Sequence, residues 1–238
     1  MKRRKDGKGG VVAKGLFGLV MSAVLLGGCA TGLTQAEMQD IDTHLADYYN
    51  HPDPDWALSA LPLFEKMMRS ERTAFPAFGF VYGAAKAAKE RKDDWALAAK
   101  GHSRAGVAVG YGLEGKTLDD VVGAKYEDYA PELLDLIWGY FMATGDPVAP
   151  RRVIHRGGMK VPERADVDLT ARSAVWSACS LAKGHPAVKA ELESFALAAE
   201  PAAVLNFFGA EALDEDVSKL LSAAANGRIT DIQKGEGR

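Results

Sequence analysis

The sequence predicts an all-α protein of antiparallel helical hairpins. Three observations carry that prediction. Helix-start signals recur along the chain, apolar residues behind them follow helical spacing, and strand patterns are nearly absent. The connections between these helices are short, which favours antiparallel neighbours.

Thr34-Gln35-Ala36-Glu37 reads as a capping box, with Met38, Ile41, Leu45 and Tyr48 on one face behind it. Asp53-Pro54 opens a second helix carrying Trp56, Leu58, Leu61 and Phe64. Pro62 should kink or split it. Pro76 opens a helix with Phe78, Val81, Ala85 and Ala88 inward, and Asp93 caps one beginning at Trp95. Thr117 caps a helix through Val121 and Val122. Pro131 starts one with Leu134, Ile137, Trp138 and Phe141, closed by Gly145. Asp146-Pro147 starts a short helix that stops at Gly157-Gly158. After a loop around Pro162, Leu169, Val175, Trp176 and Cys179 share the next, ended by Gly184. His185-Pro186 opens a helix with Val188, Leu192 and Phe195. A last one is expected over Leu213–Ala225 before a fraying tail.

Ahead of these helices lies a different kind of segment. Lys2, Arg3, Arg4, Lys5, Lys8 and Lys14 make a basic start opposed only by Asp6, and an apolar run follows from Leu16 to Leu26. At 1.5 Å rise per residue such a run spans about 16 Å, roughly half a hydrocarbon core. That suits an export signal and not a membrane span. The run ends in Leu26-Gly27-Gly28-Cys29, an aliphatic residue and two small ones before a cysteine.

Those four residues resemble the lipobox of bacterial lipoprotein signal peptides. The resemblance implies cleavage before Cys29 and acylation of Cys29, so that the chain meets a lipid bilayer through its modified first residue. Two or more acyl chains anchor stably where one does not. Ala30 after the cysteine, in place of Asp, implies sorting to the outer membrane, facing the periplasm. The expected organisation is a signal peptide over 1–28, a lipidated N-terminus and linker over 29–33, a helical domain over 34–226 and a flexible tail over 227–238.

Six of the 29 basic residues and one of the 32 acidic ones precede Cys29, leaving 23 against 31 and a net charge of −8. An acidic body argues against nucleic acid as a partner, since phosphate binding needs basic residues. With Cys29 lipidated, only Cys179 remains, so no intramolecular disulfide is available.

Asp55-Trp56-Ala57-Leu58 recurs as Asp94-Trp95-Ala96-Leu97, and the four tryptophans at 56, 95, 138 and 176 are about 40 residues apart. Such spacing suits stacked helix pairs. The chain resembles tetratricopeptide-type helical-hairpin proteins in organisation only, because no segment meets their full pattern. A TPR/HEAT-like array and an irregular helical bundle both remain open.

Several motifs suggest chemistry and fail on context. Gly110-Tyr111-Gly112-Leu113-Glu114-Gly115-Lys116-Thr117 matches the phosphate-binding P-loop, with Val107-Ala108-Val109 as a possible preceding strand. A P-loop fold needs a parallel sheet, however, and no further strands are found. In the simpler account glycines end one helix and Thr117 caps the next. His44, His51, His102, His155 and His185 do not converge with other ligands as zinc requires, so no metal and no cofactor is expected. Cys179 lies on an apolar face where a thiol is inert. The aromatics Tyr48, Tyr49, Phe78, Phe80, Tyr82, Phe141, Phe207 and Phe208 read as core.

One cluster stands out from the acidic background. Arg151, Arg152, His155, Arg156, Lys160 and Arg164 cluster within fourteen residues, and the first four, with Arg152, His155 and Arg156 on one helical face, are its core. They are the candidate site for an anion or a partner. No catalytic set is found. The expected role is therefore non-enzymatic, a lipid-anchored scaffold binding a partner protein or peptide. The alternative is an envelope enzyme or a binder of a small anionic ligand near Arg151–Arg156.

Overall fold

The computed structural model describes residues 32–159, 168–198 and 203, and every regular element among them is helical. The export segment, Cys29, the loop at Pro162 with Lys160 and Arg164 of the basic cluster, Phe207, Phe208, the helix expected over Leu213–Ala225 and the tail from Gly227 lie outside the described residues.

The capping signals act as local chemistry dictates. In α1 (Gln35–Leu45) the Thr34 hydroxyl accepts from the Glu37 N–H at 3.2 Å, and Glu37 Oε2 accepts from the Thr34 N–H at 2.7 Å. Asp53 caps α2 (Pro54–Ser59), and the chain breaks at Ala60 before α3 (Leu61–Met67). The expected split at Pro62 is present, because proline in the first turn of α3 cannot donate to α2. α4 (Ala74–Ala87) follows, then a 3-10 turn over Lys89–Arg91, α5 (Lys92–Ala98) and α6 (Ser103–Leu113). Thr117 and Asp120 form a second capping box on α7 (Leu118–Val122).

After a 3-10 turn over Tyr126–Asp128 comes α8 (Pro131–Thr144), opened by proline and closed by Gly145 at φ 65°. α9 (Val148–Gly158), α10 (Leu169–Ala182) and α11 (Pro186–Ala198) complete the described elements. Two starts and one strand differ from expectation: α4 begins at Ala74, two residues before Pro76. α5 begins at Lys92, so Asp93 and Asp94 sit in its first turn and complement its dipole without capping it. Val107-Ala108-Val109 lies inside α6, not in a strand.

The centre of the fold is the crossing of α4 and α8. Its closeness has a plain cause. A Cβ on Gly79 would stand 2.0 Å from the Leu136 carbonyl oxygen, and one on Gly139 would stand 2.1 Å from that of Pro76. Only glycine at both places lets the two backbones touch. α6 packs on the far side of α4, where Gly112 plays the same part against the Tyr82 carbonyl. The large side chains of α4 and α8 are thereby pushed to the two flanks of the crossing. On one flank Phe80 stacks on Phe64 at 5.0 Å and meets Tyr48 edge-on at 4.9 Å. α9, α10 and α11 pack against one another, and α8 joins them to the rest.

The near-40 spacing has a partial structural counterpart. Arg91 binds Asp55 (2.8 Å) and Asp94 (3.0 Å), the aspartates of the two recurring tetrapeptides. The Trp138 indole N–H donates to Ser177 Oγ, the residue after Trp176, at 3.0 Å. Trp56 and Trp95 lie in the first turns of short helices, whereas Trp138 and Trp176 lie mid-way along long ones. The likeness is pairwise and runs no further.

Candidate functional site

The arginine cluster is not one surface. Arg152 and Arg156 turn into the core, while Arg151 and His155 lie on the exposed side of α9. The expectation that Arg152, His155 and Arg156 share a binding face is therefore corrected. α9 is bracketed by α8, α10 and α11, so the side carrying Arg152 and Arg156 is sealed.

Each arginine also has its own carboxylate. Arg151 forks onto Glu191 at 2.9 and 3.0 Å, and Arg152 pairs with Asp119 beside the Tyr129 hydroxyl. The fully buried Arg156 places Nη2 at 2.8 and 2.7 Å from the two oxygens of Asp168. That same carboxylate caps α10 by accepting from the Ala171 N–H at 3.0 Å. These charges are already neutralised within the fold. His155 stands edge-on to Phe195 over a hollow of about 260 Å3 shared with Arg151 and Glu191.

The P-loop match resolves the same way. Gly110 and Gly112 are inside α6, Gly115 turns the chain at φ 75°, and no strand precedes them among the described residues. The Lys116 carbonyl accepts from Tyr82 Oη and Lys86 Nζ, each at 2.7 Å, and Lys116 Nζ lies 3.8 Å from the Tyr111 ring centre. The segment is a helix-to-helix turn. Cys179 is buried, and burial pushes its thiol up to about 11, away from any nucleophilic form. Among the described residues no group of three His, Cys, Asp or Glu side chains is placed to hold a metal ion.

A larger hollow than the one at His155 lies elsewhere, on the Phe80 flank of the α4–α8 crossing. It measures about 570 Å3 and opens between α1, α4, α8 and α10. Leu45, Phe80, Met142 and Leu181 line it with carbon, and Trp138 and Trp176 contribute indoles. Trp176 is 37% exposed, an unusual place for so large an apolar side chain. Polar groups are few: Glu71 and Arg72 in the turn before α4, Glu132 and Asp135 on α8, Ser173 and Ser177 on α10.

Asp135 is the chemically distinctive member. It interrupts the apolar run Leu133, Leu134, Leu136, Ile137 one turn before Trp138. Half-buried, it has no hydrogen bond or ion pair among the described residues. Burial pushes its carboxyl up to about 6, and the neighbouring Glu132 charge adds to the shift. A perturbed carboxyl facing an apolar cavity is what a binding or catalytic site requires. Sequence reading passed over it. The signal was an acid whose two neighbours on either side, Leu133, Leu134, Leu136 and Ile137, are all apolar.

Comparison with protein families, curated proteins and solved structures finds no match for this chain. The functional reading therefore rests on the cavity and on the N-terminal motif. The opposite flank of the crossing carries a more open apolar hollow of about 460 Å3, bordered by Phe75, Phe78, Val107 and Tyr111. No helix among the described residues is long and apolar enough to cross a membrane.

Proposed function

We propose that this chain is a ligand-binding lipoprotein of the bacterial cell envelope, tethered through acylated Cys29 and holding a small molecule in the cavity beside α8. The carboxyl of Asp135, facing that cavity without an internal partner, is the observation that carries the reading. Burial makes its charged form costly, and no group among the described residues offsets the cost. Sites that weaken their own fold are characteristic of function. The sequence pointed first to a partner protein or peptide; a walled cavity of about 570 Å3 falls in the range of small-molecule sites.

The anchor is supported by Leu26-Gly27-Gly28-Cys29, and the outer membrane by Ala30. We read the body as an irregular bundle. Its strongest contact joins α4 and α8 across three intervening helices, whereas stacked repeats touch their sequence neighbours.

Two experiments test the reading. Cys29→Ala should abolish membrane association and the mass increment of the acyl chains; a variant that stays membrane-bound would defeat the anchor. Small molecules with an apolar body should raise the melting temperature of the purified protein, because they bind the folded state alone. Ser173→Trp, which fills the cavity from a half-exposed position on α10, should remove that rise. If no compound stabilises the protein, or the rise survives the filling, the cavity is not a binding site.

A further inference from the structure

Resting on that reading, we propose the chemical class of the ligand: an organic cation, with an ammonium group on the Asp135 carboxylate and its carbon body between Trp138 and Trp176. The walls select this chemistry by charge. Among the described residues the charged groups that line the cavity are Glu71, Glu132 and Asp135 against Arg72. Glu71, Arg72 and Glu132 are exposed at the rim, and a carboxylate ligand would be repelled chiefly by the half-buried Asp135. A neutral ligand would leave the strain on Asp135 in place. An ammonium relieves it, since an opposite charge within a few ångströms restores the ionised form.

The indoles favour the same answer. A cation over an indole face gains attraction from the ring quadrupole, and the gain rises as water is excluded. Trp138 is held in one orientation by its bond to Ser177 Oγ, so its ring needs no rearrangement to receive a ligand. Glu65, Arg152 and Arg156 are buried charges too, but each has its counter-group inside the fold. For Asp135 the counter-group is supplied by the ligand.

Three probes of nearly equal shape isolate the charge: phenethylammonium, phenethyl alcohol and hydrocinnamate, titrated calorimetrically into the wild-type protein. The ammonium should bind roughly tenfold or more tighter than the alcohol, as one charge-assisted contact implies. Hydrocinnamate should bind weakest. Asp135→Asn should bring the ammonium down to the alcohol's affinity while leaving the alcohol unchanged. Ammonium affinity should also rise between pH 5 and 7 in the wild type and stay flat in Asp135→Asn. Among the described residues Glu132 from α8 and Glu71 and Arg72 from the turn before α4 are the other charges facing the cavity, and none is a histidine.

Equal binding of all three probes, abolished by Ser173→Trp, would overturn the cation and leave the cavity reading standing. Binding of none would overturn both. An ammonium preference that survives Asp135→Asn would overturn the assignment of the carboxylate.

Discussion

Of the carboxyl groups that sink into this bundle, Glu65 and Asp135 meet opposite fates. Glu65, 5% exposed at the end of α3, reaches across to the start of α6. There it accepts from the Ser103 hydroxyl at 3.2 Å and from the Arg104 and Ala105 N–H groups at 3.0 and 2.9 Å. Burial alone would raise its pKa, but these bonds outweigh burial and hold the carboxyl below its ordinary range. Asp135 has no donor among the described residues, and burial pushes it up to about 6. Hydrogen-bond donors thus separate a carboxylate that builds the fold from one that the described fold leaves without a partner.

The strongest way to sharpen that contrast is to create a second unpartnered charge on purpose. Asp168→Asn keeps a side chain able to cap α10 and removes the counter-charge of Arg156. Arginine cannot shed its proton, so it has no escape of the kind open to Asp135. A loss of about 3 kcal/mol is expected, near the lower end for breaking a buried pair. Urea unfolding at neutral pH measures it. A loss below ~1 kcal/mol would mean that α9 shifts and lets water reach the guanidinium.

Glu65→Gln is the next largest. The amide keeps one acceptor and turns two N–H donors toward the donors of α6, for an expected cost of about 2 kcal/mol. The sign of its pH dependence follows from the lowered pKa. The wild-type advantage is present above the unfolded-state value of 4.5 and is lost as pH falls through the lower folded value. An unfolding series from pH 7 to pH 2 should show the two curves converging at the acid end.

What sequence could and could not announce follows the same division. Thr34 acts with Glu37 three residues on, and Thr117, Pro131 and Gly145 each act on the helix end they sit at, so each does as the sequence predicts. The partners of Arg151, Arg152 and Arg156 lie 40, 33 and 12 residues away, at Glu191, Asp119 and Asp168. Read locally, those arginines are an unopposed basic patch. Folded, they are cross-links. Glu65 reaches its cap 38 to 40 residues on, which no local pattern reveals. The walls of the cavity come from four helices, so Asp135 gained its meaning only when Phe80, Met142 and Trp176 closed around it.

Asp135→Asn should move stability the other way. The folded state holds this proton more tightly than the unfolded chain does, so wild-type stability falls as pH rises from about 4 to about 6. The variant escapes that loss and should be more stable above pH 7 by roughly 1–3 kcal/mol, with no difference below pH 4. His185 tilts the wild-type curve oppositely over much of the same window. Burial lowers it to about 4, so protonating the unfolded chain costs stability as pH falls below 6.5. The two slopes offset one another in the wild type, which is why the difference between proteins is the quantity to measure. A destabilised Asp135→Asn at neutral pH would place a structural donor on that carboxyl and undo the contrast with Glu65.

Arg151→Ala sets the lower bound of the series. Its pair with Glu191 has good forked geometry, but the Arg151 side chain is 56% exposed and solvent screens the attraction. The expected cost is at most about 0.5–1 kcal/mol, diminishing in 1 M salt. Ligand binding in the cavity should not change, because the pair lies on the outer side of α9 against α11 while the cavity opens between α1, α4, α8 and α10. Weakened phenethylammonium binding in Arg151→Ala would tie the arginine helix to the cavity after all. Unchanged binding separates a charge that belongs to the surface from one that belongs to the site.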